Sequence, residues 1–195
     1  MTKESFSELL ERVRSCRRCA ENLPLGPRPV LRASMKARLL IVGQAPGTKV
    51  HASGIPWNDR SGDRLRQWLD LAPDIFYDEN RIAIVPMGLC YPGRDPKGGD
   101  LPPRPECAPT WHPELRLRLA EVQLTLLIGR YAQAYYLGKC RQASMTASVR
   151  CFRDYLPEFL PLPHPSWRTM HWERDNPWFV EDLLPELRVL VRALL

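Results

Sequence analysis

The chain has 195 residues, 44% of them hydrophobic and 26% charged, which suits one globular domain with a full core and leaves too little chain for two. Its first residues, MTKESFSELLERVRS, are too polar for a signal peptide, and no apolar run reaches bilayer-spanning length, so a cytoplasmic protein with no membrane partner is expected. A net charge of +6 favours a polyanionic partner, and six cysteines in a reducing compartment point to metal or cluster binding rather than disulfides.

Phe6, Leu9, Leu10 and Val13 fall at helical spacing and predict an opening helix. Directly after it, SCRRCAEN holds Cys16 and Cys19 two residues apart, a spacing that grips one metal ion or one iron of a cluster and wants further ligands. ARLLIVG (37–43) predicts a buried strand, and SGDRLRQWLDL a helix capped by Ser61 with Leu65, Trp68 and Leu69 on one face. RIAIVP (81–86) predicts a second strand. PELRLRLAEV (113–122) predicts a helix leading into a third strand, QLTLLIG (123–129). YAQAYYLG is a short helix closed by Gly138, and FLPLPHP (159–165) a fourth, proline-limited strand. The last helix opens with Asn176 as cap and Pro177 at its first position, and Pro185 should kink or split it.

Strands alternating with helices predict the α/β class: a three-layer α/β/α domain over 1–195 around a central, mostly parallel four-stranded sheet. Ligands of such sheets bind at the carboxyl ends of the strands. Three strand ends carry unusual sequence: GQAPG (43–47), PMGLCYPGR (86–94) and HPSWR (164–168). Twenty prolines, about twice the usual usage, suit long ordered loops there. In GQAPG, glycines let the backbone approach a ligand and free N–H groups make an anion- or carbonyl-binding concavity; taken alone it is a tight turn. His164 at a strand end is placed to donate to a developing oxyanion, Ser166 to bind phosphate, and Trp167 and Arg168 to enter or flank a duplex.

LLIVGQAPG, SGIPWNDRSGDRLRQWL and HPSWR, in that order, resemble the uracil-DNA glycosylase superfamily, and most closely its iron–sulfur branch, over roughly residues 10 to 170. That branch carries four cysteines, matched here by Cys16, Cys19, Cys90 and Cys107, so the resemblance implies a 4Fe–4S cluster that ties the N-terminal segment to a long loop. Four thiolates equally suit zinc. Cys140 and Cys151 have no counterpart and read as ordinary thiols.

The resemblance implies a DNA base-excision glycosylase that flips uracil or a related deaminated base out of DNA, acting as a monomer. Trp57 would stack on the base, beside Gly43. His164 would donate to the uracil O2, joined by the backbone N–H groups of Gln44 and Ala45, while Ser166 and Arg168 hold phosphates and Trp167–Met170 fills the gap in the stack. Arg94, Lys97, Arg104 and Arg130 would extend the DNA track.

Two departures stand out. Where the best-known branch has aspartate this chain has Ala45, and where the iron–sulfur branch has glutamate it has Gln44, an amide that orients water but takes no proton; Asp59 and Asp63 are the candidate substitutes. The base-reading asparagine of that branch is matched by Pro86, so readout falls to backbone groups near Met87 and Gly88, or to Asn58. These losses admit two alternatives: a non-catalytic or covalently trapping damage binder, and an enzyme of free nucleosides, against which the net basicity and the Trp167–Arg168 pair argue.

Overall fold

The four apolar runs form four strands, each trimmed to the residues that pair: β1 (Leu39–Val42), β2 (Ile82–Ile84), β3 (Leu124–Ile128) and β4 (Phe159–Leu162). The computed structural model describes residues 4–195. All pairings are parallel, in the order β2-β1-β3-β4, with Ile41 opposite Ile84 on one side and Leu126 on the other. β4 lies at the sheet edge, where Pro161 costs no shared ladder bond on its open side.

Side-chain alternation gives the sheet two buried faces. Leu39, Ile41, Leu126 and Ile128 point to one, under α3 (Arg60–Leu69) and α9 (Leu184–Leu194), which contribute Leu65, Trp68, Leu187 and Val191. Leu40, Val42 and Leu127 point to the other, under α1 (Phe6–Arg14), α5 (Cys107–Arg118) and α6 (Arg130–Leu137), which contribute Leu9, Val13, Leu115 and Ala132. Each fully buried aliphatic side chain is worth about 1.5–3 kcal/mol, so both layers are held by comparable apolar seams. This is the expected three-layer α/β/α architecture.

Several helix boundaries differ from expectation. The cap of α3 is Asp59, whose Oδ1 accepts from the Gly62 N–H at 2.8 Å, and not Ser61. α5 begins at Cys107, carries Pro113 inside it and stops at Arg118, short of Val122. Short helices α2 (Thr48–Ser53), α4 (Pro73–Phe76), α7 (Met145–Arg150) and α8 (Thr169–Asp175) fill segments to which the sequence assigns no element. Asn176 closes α8 instead of opening the last helix: its Nδ2 donates back to the Trp172 carbonyl at 2.8 Å. The chain then makes a π-helical turn, Phe179–Leu183, before α9, so Pro185 falls in the first turn of α9, where its missing N–H has no intrahelical partner to lose.

The chain runs from β1 to the edge strand β2 and then across to β3 on the other side of β1. That reversal opens a crevice above the carboxyl ends of the central strands.

Candidate active site

The crevice holds a cavity of about 110 Å³. Gly43, Gln44 and Ala45 line it from the β1 loop, Trp57 and Asp59 from the entry to α3, and His164 from the end of β4. Pro86 lines it from the end of β2, and Asp100 from the long loop beyond.

Trp57 is held there against its own backbone preference. Its φ is +58°, the left-handed region that large side chains rarely enter and that clusters at functional sites. The surrounding structure fixes it: the Tyr77 hydroxyl donates to the Trp57 carbonyl at 3.3 Å and Arg66 Nη1 at 3.5 Å, and a Cβ on Gly62 would lie 1.7 Å from that oxygen. The indole lies on the Gly43 backbone and meets the His164 ring at 5.7 Å between centroids, tilted by 36°.

His164 is anchored by its main chain. The N–H of Ser166 donates to its carbonyl at 2.8 Å, and so does the Thr169 hydroxyl. Burial pushes the imidazole pKa below its ordinary value, against a weaker upward pull from Asp59, so the ring is neutral at pH 7. Among the described residues its ring nitrogens have no hydrogen-bond partner, and neither do the N–H groups of Gln44 and Ala45. A neutral donor and two residues with unbonded amides line one cavity, a set of groups able to stabilise negative charge on a carbonyl oxygen.

Other expected base contacts are not brought together. Asn58 is exposed and lies outside the cavity lining. Met87 is buried in the core under α5, and Gly88 faces a different cavity. Their N–H groups are spent on the β1 loop, Met87 donating to the Gly43 carbonyl and Gly88 to the Gln44 carbonyl, both at 2.9 Å. The Gln44 side chain turns away to donate to the Leu101 carbonyl at 3.2 Å. Of the candidate carboxylates, Asp63 points outward, 64% exposed and paired with Arg66, and Asp59 is engaged as the α3 cap.

At the rim, Trp167 is 69% exposed and Met170 60%, with the Arg168 guanidinium 5.5 Å from the Trp167 ring centre. Ser166 is half-buried, its hydroxyl 3.4 Å from that of Thr169. Arg94, Lys97 and Arg130 are exposed; Arg104 instead pairs with Glu106 at 2.9 Å beside the cysteines.

Behind the crevice, Cys16, Cys19, Cys90 and Cys107 line one small cavity walled by Leu23, Leu89 and Trp111. The Leu89 N–H donates to the Cys107 sulfur at 3.3 Å, and burial pushes that thiol up to about 12 and Cys90 up to about 11. Among the described residues, no three of His, Cys, Asp and Glu are gathered tightly enough for a single metal ion. Cys140 and Cys151 lie elsewhere. The two cavities are back to back: a Cβ on Gly88 would lie 3.4 Å from that of Ala45.

His112 has no counterpart in the sequence reading. Its buried ring bonds the Pro86 carbonyl through Nε2 at 3.1 Å, so Nε2 carries the proton and Nδ1 accepts from the Tyr136 hydroxyl at 2.6 Å. It props the β2 loop that floors the crevice.

None of the described helices is long and apolar enough to cross a membrane. The profile of the Uracil DNA glycosylase superfamily matches residues 32–188, a span holding the whole sheet together with Gly43, Gln44, Ala45, Trp57, Asp59, Pro86, Asp100 and His164 of the crevice, and the chain belongs to that superfamily.

Proposed function

We propose that this protein is a monofunctional DNA glycosylase that hydrolyses the N-glycosidic bond of uracil, or a related deaminated base, flipped out of DNA. One observation carries the reading: a neutral, unpartnered His164, and Gln44 and Ala45 with their unbonded N–H groups, line one cavity beside a backbone-strained Trp57. Trp57 stacks on the flipped base. As the glycosidic bond lengthens, positive charge grows on the sugar and negative charge on the base. His164 and the two amides take up the charge on a base carbonyl oxygen, and they are oriented before the reaction begins. Ser166 and Arg168 hold the flanking phosphates, and Trp167 and Met170 fill the vacated stack. Arg94, Lys97 and Arg130 extend the backbone track.

Because the N–H groups at the end of β2 are consumed and Pro86 offers none, recognition rests on a carbonyl oxygen and a stacking face. Uracil, hypoxanthine and xanthine all present both. This reading therefore carries relaxed base specificity.

Cys16, Cys19, Cys90 and Cys107 would hold a 4Fe–4S cluster. Four thiols lining one apolar cavity suit such a group, with zinc as the alternative ligand of the same thiolates. The cluster would staple the N-terminal segment to the β2 loop and α5. In this reading the protein works as a cytoplasmic monomer, where thiols stay reduced.

The same closed β2 edge favours a second reading, a damage-binding protein of this fold that does not turn over. Oligonucleotides carrying uracil, hypoxanthine or xanthine, scored for alkali-labile sites, separate the two. Release of any of these bases by the wild type, lost in His164→Ala, supports the glycosylase; tight binding without release supports the binder.

A further inference from the structure

We propose that Asp100 is the general base of this site, taking a proton from the water that attacks the sugar. The inference rests on the glycosylase reading and supplies what Gln44 and Ala45 lack.

Asp100 reaches the cavity from a hairpin, residues 93–101, that leaves the cysteine-bearing loop and folds back over the crevice. The hairpin is tied by an antiparallel bridge between Arg94 and Asp100 and by main-chain bonds of 2.9 Å from Leu101 to Gly93 and from Asp95 to Gly99. Gly93, Gly98 and Gly99 take φ of +106°, +95° and +91°, which fold the turn tightly enough to present Asp100 inward. One hydrogen bond ties the hairpin to the site, and Arg168 lies beside its turn. Gln44 Nε2 donates to the Leu101 carbonyl at 3.2 Å, and the Arg168 guanidinium lies 3.8 Å from where a Cβ on Gly98 would stand.

The Asp100 carboxylate thus lies on the last residue of the GQAPG turn: Oδ2 is 3.3 Å from a Cβ built on Gly47. Among the described residues it has no hydrogen-bond or ion-pair partner, whereas Asp59 in the same cavity caps α3 and Asp63 is turned away to Arg66. An unengaged carboxylate at a solvent-open mouth can hold a water and accept its proton. Asp100 stays exposed at the mouth; partial desolvation, and secondly the charge of Asp59, raise its pKa above the ordinary carboxylate value, against Arg94 on its own hairpin, which strengthens it as a base.

The step balances as a hydrolysis. The water oxygen bonds to C1′ as the C–N bond breaks, and its electron pair leaves on the base, whose anion His164 and the amides of Gln44 and Ala45 hold. One water proton passes to Asp100, and the base is then protonated from solvent.

The test is single-turnover excision by wild type, Asp100→Asn and Asp100→Glu across pH 4–9, with binding to DNA carrying a non-hydrolysable nucleotide measured alongside. Facing Asp100 are Asp59 from the α3 entry, Tyr91 from the β2 loop, Arg94 from the hairpin, and Arg168 and His164 from the β4 loop, so His164→Gln is run in parallel to assign its limb of the profile. Asp100→Asn should excise about 10²- to 10⁴-fold more slowly with unchanged binding, lose the acid limb seen in the wild type, and recover in part in Asp100→Glu. An active wild type whose Asp100→Asn variant keeps its rate or its acid limb overturns the assignment alone. A wild type that binds DNA and releases no base overturns the glycosylase reading, and this inference with it.

Discussion

The indole of Trp57 packs against Gly43: a Cβ built on that glycine would stand 2.7 Å from Trp57 Cζ2, closer than real Cβ contacts occur. The first residue of the β1 loop is therefore the bed of the stacking face. The Trp57 main chain cannot yield, because its carbonyl is held by Tyr77 and Arg66 and walled by Gly62, so only the ring can swing aside. Gly43→Ala should push the ring into the base site and slow excision about 100-fold, the scale of a misplacement near 1 Å. Single-turnover rates check this; an unchanged rate would show that the ring does not set the base's position.

Trp167 makes a prediction about strands. It is 69% exposed and touches little besides Arg168, so its removal should leave folding intact. Its proposed task, filling the gap left by the flipped nucleotide, exists only in a duplex. Trp167→Ala should lower excision from duplex DNA at least about tenfold, a loss worth about 1.4 kcal/mol, while single-stranded substrate is cleaved as before. Equal losses on both would make Trp167 a backbone contact instead.

The cysteines predict a coupled loss. Cys90→Ser removes one of four sulfurs from a cavity that the segment after α1, the β2 loop and α5 share, so bound iron, visible absorbance and thermal stability should fall together. Cys140→Ser, at an exposed thiol outside that cavity, should change none of them. Iron content and a melting curve on the same preparations decide it.

The sheet and the two poles of the crevice were legible in the sequence because they are written locally. Runs such as LLIV and LTLLI have no polar face and can only be central strands, and GQAPG and HPSWR follow strands directly. What escaped depends on distant partners. Met87 and Gly88 read as spare N–H donors until the carbonyls of Gly43 and Gln44 are placed opposite them. Asp59 and Ser61 are both good caps, and the left-handed turn at Trp57 is what seats Asp59 over the Gly62 amide. Asp100 reads as one more loop acid until three glycines fold its hairpin onto Gly47. Asn176 carries a cap signal that is satisfied backwards, by the Trp172 carbonyl.

His112 gives a stability prediction whose sign follows from its burial. Desolvation lowers its pKa from the ordinary 6.5 to about 4, assisted by Arg116, while its bond to the Pro86 carbonyl partly opposes the shift. Between those two values the unfolded chain binds a proton that the folded one refuses, so stability must fall as pH falls through that window and be fully present above it. The imidazole should cost the fold about 2–3 kcal/mol between pH 6.5 and 4.5. His164, shifted in the same direction, adds to that loss. Urea unfolding at the two pH values should therefore show a smaller drop for His112→Gln than for the wild type, although the variant, lacking the ring that bridges Tyr136 and Pro86, is the less stable protein at pH 7. An identical drop in both would mean that His112 takes up its proton in the folded state, and that the prop under the β2 loop survives as an imidazolium.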